Sequence, residues 1–193
     1  MGAPDGQGDR RTDRQHRWLR RGCAGWHRLL LRCAGAPGDR QEQLRMLRSV
    51  GAIVFGARTY RMFADYWPQA DPVAEPVAVP IRELPKFVVS STLAAAPWDA
   101  DQSATVLRGD GVAAVRGLRE RIDGDLVIWG SLTLVDALLG AGEVDMLRLR
   151  VVPVLLGGGR PLAPPGTATR RWRLARVESF GGGVAVLEYH ALA

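Results

Sequence analysis

A chain of 193 residues, 47% of them hydrophobic, is long enough to bury one sizeable core and short for two. No apolar run approaches the ~18 residues a membrane helix needs, and Leu29–Leu31, hemmed in by Arg28 and Arg32, is too short for a secretory h-region, so a soluble, cytoplasmic protein with no membrane partner is expected. The net charge of +6 sits in residues 1–48, where eleven arginines face five acids; the remainder is neutral, so no basic face is expected for a nucleic acid to use.

Residues 1–38 are rich in Arg, Gly, Trp, Cys and His and show neither a helical nor an alternating period. They are expected to stand apart from a single domain over residues 39–193, either as a disordered basic segment or as an off-frame reading. Cys23, His27 and Cys33 match no common zinc spacing and lack a fourth ligand, so no metal is expected. Asp39 is placed to cap a helix running through Val50, with Leu44, Leu47 and Val50 inward. Ala52–Phe55 reads as a buried strand ending at Gly56, and Arg58–Asp65 as a short helix. Pro68, Pro72, Pro76 and Pro80 predict an extended loop over residues 68–80.

Strands follow at Lys86–Ser90 and Ala104–Leu107, then an amphipathic helix over residues 111–122 with Val112, Val115, Leu118 and Ile122 inward. Leu126–Trp129 is a strand, and Gly130-Ser131 opens a helix to Leu139. Val144–Leu156 reads as a long strand interrupted at Pro153, which a sheet tolerates only at an edge or bulge. Leu174–Phe180 and Val184–His190 alternate as an antiparallel hairpin about Gly181–Gly183. Alternating strands and helices followed by a hairpin define an α/β protein, its sheet mostly parallel with antiparallel strands at the end.

In open α/β sheets ligands gather outside the carboxyl ends of the strands. Three such ends here carry small or hydroxylated residues: Gly56-Ala57-Arg58-Thr59, Ser90-Ser91-Thr92 and Gly130-Ser131. A strand stopping at glycine before a helix offers backbone N–H groups and a positive dipole end to an anion. Ser131 can cap that helix or donate a hydrogen bond. Each motif alone is equally a capped turn; together they favour a nucleotide site. The run Val152–Arg160 contains Gly157-Gly158-Gly159 but no following Lys-Ser or Lys-Thr, which excludes a P-loop. His190, at the chain end on a strand, reads as a packing residue, and Glu143 and Asp145 as a solvated turn.

Six stretches occur in a recognisable order: Gly56–Tyr60, Phe63–Pro68, Lys86–Leu93, Trp129–Ser131, Glu143–Asp145 and Pro153–Arg160. With them the chain resembles, over residues 42–190, the C-terminal reductase domain of bacterial riboflavin-biosynthesis deaminase-reductases and its stand-alone dihydrofolate-reductase-like relatives. The resemblance implies a dihydrofolate-reductase-like three-layer fold, a homodimer, and NADPH-dependent reduction of a small heterocycle, pteridine-like or an aminopyrimidine. It implies that Gly130, Ser131, Leu132 and Thr133 cradle the pyrophosphate, that Gly56, Arg58 and Thr59 line the cofactor, and that Ser90, Ser91 and Thr92 sit near its adenosine end. Asp145, Gly157, Gly158 and Gly159 become candidates for the substrate side. A damaged relative that keeps the fold and part of the nucleotide site is the alternative.

The chain departs from the family in three places. Met146 follows Asp145 where a second carboxylate is common, Ala163 follows Leu162 where an aromatic is common, and no opening strand carries Ser-x-Asp-Gly. The codons of Gln15–Arg20, read one nucleotide forward, permit Ser-Ile-Asp-Gly-Phe and force its glycine. The off-frame reading of the N-terminal segment is therefore preferred to a natural basic extension.

Overall fold

The computed structural model describes residues 19–20, 38–155 and 159–192. Cys23, His27 and Cys33, residues 15–18, and Gly157 and Gly158 lie outside the described residues. We number the elements β1 (Leu19–Arg20), α1 (Asp39–Leu47), β2 (Val50–Gly56), α2 (Ala57–Ala64), α3 (Ala78–Glu83), β3 (Lys86–Val89), β4 (Thr105–Leu107), α4 (Gly111–Arg119), β5 (Asp125–Ile128), α5 (Leu132–Ala141), β6 (Met146–Val151), β7 (Arg160–Pro161), β8 (Trp172–Phe180) and β9 (Val184–Ala191).

β2 organises the molecule because nearly every one of its residues is apolar. It pairs in parallel with β3 on one side and β5 on the other, and β4 extends the sheet beyond β3, giving the order β4-β3-β2-β5. A strand alternates its side chains between two faces. Ile53 and Phe55 enter one apolar cluster with Leu47, Tyr60, Val77 and Ile81, from α1 to α3 and their flanks. Val54 enters the opposite cluster with Val115 and Leu118 of α4 and Leu134 and Leu138 of α5. Helix layers thus cover both faces, the arrangement a parallel sheet requires. Among the described residues no helix is long and apolar enough to cross a membrane.

A second sheet, antiparallel, runs β6-β9-β8, and the two-residue strands β1 and β7 pair separately. The expected mostly parallel sheet with a terminal hairpin is thus present, with its antiparallel strands hydrogen-bonded apart from the parallel ones. α1 ties the two together. Its Leu47 joins the core beneath β2, while Glu42, 2% exposed, forms ion pairs with Arg148 of β6 and Arg176 of β8.

Four boundaries differ from the sequence expectation. The cap of α1 is Gly38, in the left-handed region at φ 90°, and no side chain caps the helix. α1 stops at Leu47 instead of Val50, which already belongs to β2; the next residue, Gly51, has no room for a side chain, since a Cβ there would lie 1.9 Å from the Asp123 carbonyl oxygen. Residues 68–80 are not simply extended; a 3₁₀ turn spans Trp67–Gln69 and α3 begins at Ala78. Pro80 falls in the first turn of α3, where its missing N–H costs no helical bond. β6 ends at Val151, two residues short of Pro153, whose ring packs against Gly183.

Candidate functional site

Because β2, β3 and β5 are parallel neighbours, their carboxyl ends lie side by side. The pairs Gly56↔Val89 and Val54↔Ile128 set the tips level. The tips of β2 and β5 are knotted by side chains. The Gly56 N–H donates to Ser131 Oγ at 2.7 Å, the Ser131 N–H donates to Thr59 Oγ1 at 2.9 Å, and Ser131 Oγ donates to the Trp129 carbonyl at 3.3 Å. Ser131 is buried and holds φ 52°, a left-handed conformation unusual for a residue with a side chain.

That conformation has a consequence for the helix. The Ser131 hydroxyl is turned to the β2 tip and does not cap α5. The first-turn amides of α5, at Leu132 and Thr133, are left without a capping side chain, and Gly130 before them is exposed. Gly130 sits at φ 64°, and a Cβ on it would come within 3.3 Å of Thr59 Cγ2. The corner therefore presents bare backbone at the positive end of a helix dipole. Arg58, next in sequence to Thr59, is exposed on the first turn of α2.

The third tip is shaped differently. Ser90 Oγ accepts from the N–H groups of Thr92 at 3.2 Å and Leu93 at 3.1 Å, so that hydroxyl builds its own turn and is itself buried. Ser91 and Thr92 are exposed. Arg108, after β4, braces the turn by donating to the carbonyls of Ser91 (3.2 Å) and Leu93 (2.9 Å). No sequence signal singles out Arg108, because its role depends on β4 lying beside β3.

A cleft of about 440 Å³ opens on the far side of α2, lined by Tyr60, Arg61, Asp65, Leu93, Trp98 and Asp99. Tyr60 donates to the Pro97 carbonyl across its floor, and burial, followed by the Asp65 charge, raises the phenol above its ordinary pKa. Behind it, burial lowers Lys86 to about 8, while its ammonium donates to the carbonyls of Arg82 and Leu84 and lies 4.7 Å from the Trp98 ring.

The structure does not bring Asp145 to the strand tips. It is exposed just before β6, paired at 2.8 Å with Arg119 in the last turn of α4, and Arg119 also reaches Glu143. That is the end where β5 and β6 begin, opposite the Gly130 corner. Gly159 is exposed, and Arg160 beside it pairs with Asp136 of α5, which returns the end of the glycine loop to the helix that follows Gly130. His190 lies 3.4 Å from Glu188 on its own strand.

A parallel sheet clad by helices on both faces, with antiparallel strands at its end, defines a fold of the dihydrofolate-reductase type. The chain belongs to the RibD C-terminal domain family, whose model matches residues 5–186. It is 25% identical over 148 residues to the protein YyaP of Bacillus subtilis strain 168, covering 75% of this chain and 76% of that one. Its fold is similar to that of a pyrimidine reductase-like protein from Corynebacterium diphtheriae (TM-score 0.59, 18% identity, 83% of each chain). It is also similar to that of dihydrofolate reductase from Enterococcus faecalis complexed with NADP(H) (TM-score 0.52, 14% identity, 79% of this chain and 82% of that one).

Proposed function

We propose that this protein is an NADPH-dependent reductase of a small heterocycle, pteridine-like or an aminopyrimidine. The observation that carries the reading is the Gly130 corner: an exposed left-handed glycine, uncapped amides at Leu132 and Thr133, and Arg58 nearby fit a pyrophosphate by charge and by shape. Thr59 and Ser131 hold the two strand tips in register around it. Gly56 keeps the β2 tip narrow, and the exposed Ser91 and Thr92, braced through Arg108, serve the adenosine end. When bound, NADPH supplies the hydride; the protein's part is to fix two rings against one another and to keep water out. Gly159 and the glycine loop are the substrate-side candidates we retain, and Asp145, at the opposite end of the sheet, is not. Exposed Leu174 and Val177 on β8 support a homodimer, and we place the protein in the cytoplasm.

Gly130→Asp tests the reading. The new carboxylate would occupy the phosphate position and repel it, raising the Kd for NADPH by about 100-fold or more, while the melting midpoint without cofactor moves by less than about 5 °C. Unchanged NADPH affinity in a folded variant would overturn the assignment of this corner. A second reading, a relative that binds NADPH without turnover, is favoured by the outer edges of β5 and β6, with which no strand pairs among the described residues. It predicts binding by titration and no NADPH oxidation with any heterocycle offered.

A further inference from the structure

The cleft on the far side of α2 stands apart from the Gly130 corner and shares no lining residue with it. Tyr60, Arg61, Ala64 and Asp65 follow the spacing of one helix face and line the cleft, whereas Thr59 is turned to Ser131. The opposite wall is residues 93–99, part of the connection between β3 and β4. At about 440 Å³ the cleft is within the range of small-molecule pockets. Its frame is fixed. The Tyr60 hydroxyl donates to the Pro97 carbonyl, which ties α2 to the opposite wall. Trp98 stacks on Phe55 at 6.2 Å and 15° and lies 4.7 Å from the Lys86 ammonium. The Leu93 N–H donates to Ser90 Oγ, and the Leu93 carbonyl accepts from Arg108. A ligand therefore meets walls already in place and orders little on arrival.

The charged groups of the cleft, by contrast, are not engaged. Among the described residues neither the Arg61 guanidinium nor the Asp65 carboxylate has a hydrogen bond or an ion pair. They stand one turn apart, and a base followed four residues later by an acid is the weaker order for a helical pair. Asp65 is also the C-cap of α2, where the negative end of the helix dipole opposes a carboxylate and favours a cation. Both charges are felt at the floor of the cleft: burial is the main cause of the raised Tyr60 pKa, after which Asp65 raises it further and Arg61 lowers it. Across the cleft, half-buried Asp99 is fixed by its own turn, since its Oδ1 accepts from the N–H groups of Asp101 (3.0 Å) and Gln102 (2.8 Å). Its Oδ2 takes part in neither bond. The set is one free guanidinium, two carboxylates and an apolar wall of Ala64, Leu93, Ala95 and Pro97. Two carboxylates repel a simple anion, and Arg61 repels a simple amine. A molecule that carries an ammonium, a carboxylate and an apolar group on one carbon satisfies all three.

We propose that this cleft is a second binding site, separate from the cofactor corner, for a free α-amino acid with an apolar side chain. Its ammonium goes to Asp65 and Asp99, its carboxylate to Arg61, and its side chain to Leu93, Ala95 and Pro97.

Calorimetric titration of the full chain with L-leucine and L-phenylalanine, without NADPH so that the reductase reading plays no part, is the test. Saturable binding of at least one, with a Kd of about 1 mM or lower, is expected. The α-amide of the tighter binder, which lacks the carboxylate, and its N-acetyl derivative, which lacks the ammonium, should each bind at least about 10-fold more weakly. Arg61→Met should weaken the free amino acid by about 10-fold and leave the amide unaffected. Asp65→Asn should weaken it by a similar factor and leave the N-acetyl derivative unaffected. Both side chains are exposed, so each variant should melt within about 2 °C of the unaltered chain. No saturable binding of either amino acid up to about 10 mM would overturn the proposal. So would equal affinity for the amide or the N-acetyl derivative, or affinity unchanged by both substitutions.

Discussion

In the parallel sheet, Ala52, Ile53, Val54 and Phe55 are sealed at 0% exposure between two apolar clusters. In the antiparallel sheet, among the described residues only Val184 and Val186 are buried apolar side chains, while Leu174 and Val177 are 48% and 55% exposed. Its inner face is instead charged: Glu42 and Glu188 both hold Arg148, and Glu178 holds Arg176 and Arg45. One region stands on excluded water and the other on an ion network whose one buried member is Glu42. Such networks are costly to break from one side and nearly neutral to replace entirely.

The comparison is sharpest at Phe55, which also stacks on Trp98 and meets Phe63 at a tilt. Phe55→Ala should cost about 4 kcal/mol in denaturant unfolding, the upper range for a sealed aromatic. Glu42→Ala leaves the half-buried Arg148 without one of its two carboxylates and should cost about 3 kcal/mol, whereas Glu42→Leu with Arg148→Met should recover most of that loss. If the double variant is as unstable as the single, the network stabilises this sheet outright and the contrast fails.

The smallest effect concerns the charge buried beside the parallel sheet. Lys86 is held by two carbonyls and a ring, and burial lowers it from 10.5 to about 8. Between these values the unfolded chain binds the proton and the folded one does not, so stability should rise as pH climbs from about 8 to about 10.5. The gain should be no more than about 2 kcal/mol, since carbonyls and ring favour the ammonium and offset part of the desolvation. Lys86→Met should flatten that slope.

Much of the parallel half was legible from period alone. Residues 52–55, 86–89, 105–107 and 126–128 are short apolar runs closed by glycine or serine, and all are strands. Local pattern could not reveal the close approach of Gly51 to the Asp123 carbonyl, nor that Pro80 lies inside a helix. At the candidate site, the three tips and their small residues were readable, whereas the knot among Gly56, Thr59 and Ser131 was not. It joins residues more than seventy positions apart, and its geometry rests on a serine in a glycine-like conformation. The position of Asp145 was not legible either, because sequence order does not say at which end of a sheet a turn lies.

The same knot sets the thermodynamic character of whatever the corner receives. The Thr59 and Ser131 hydroxyls are already engaged before any ligand arrives, and the backbone beside Gly130 is already in its working shape. Association there forfeits little chain entropy, so affinity is governed by the heat of the contacts themselves.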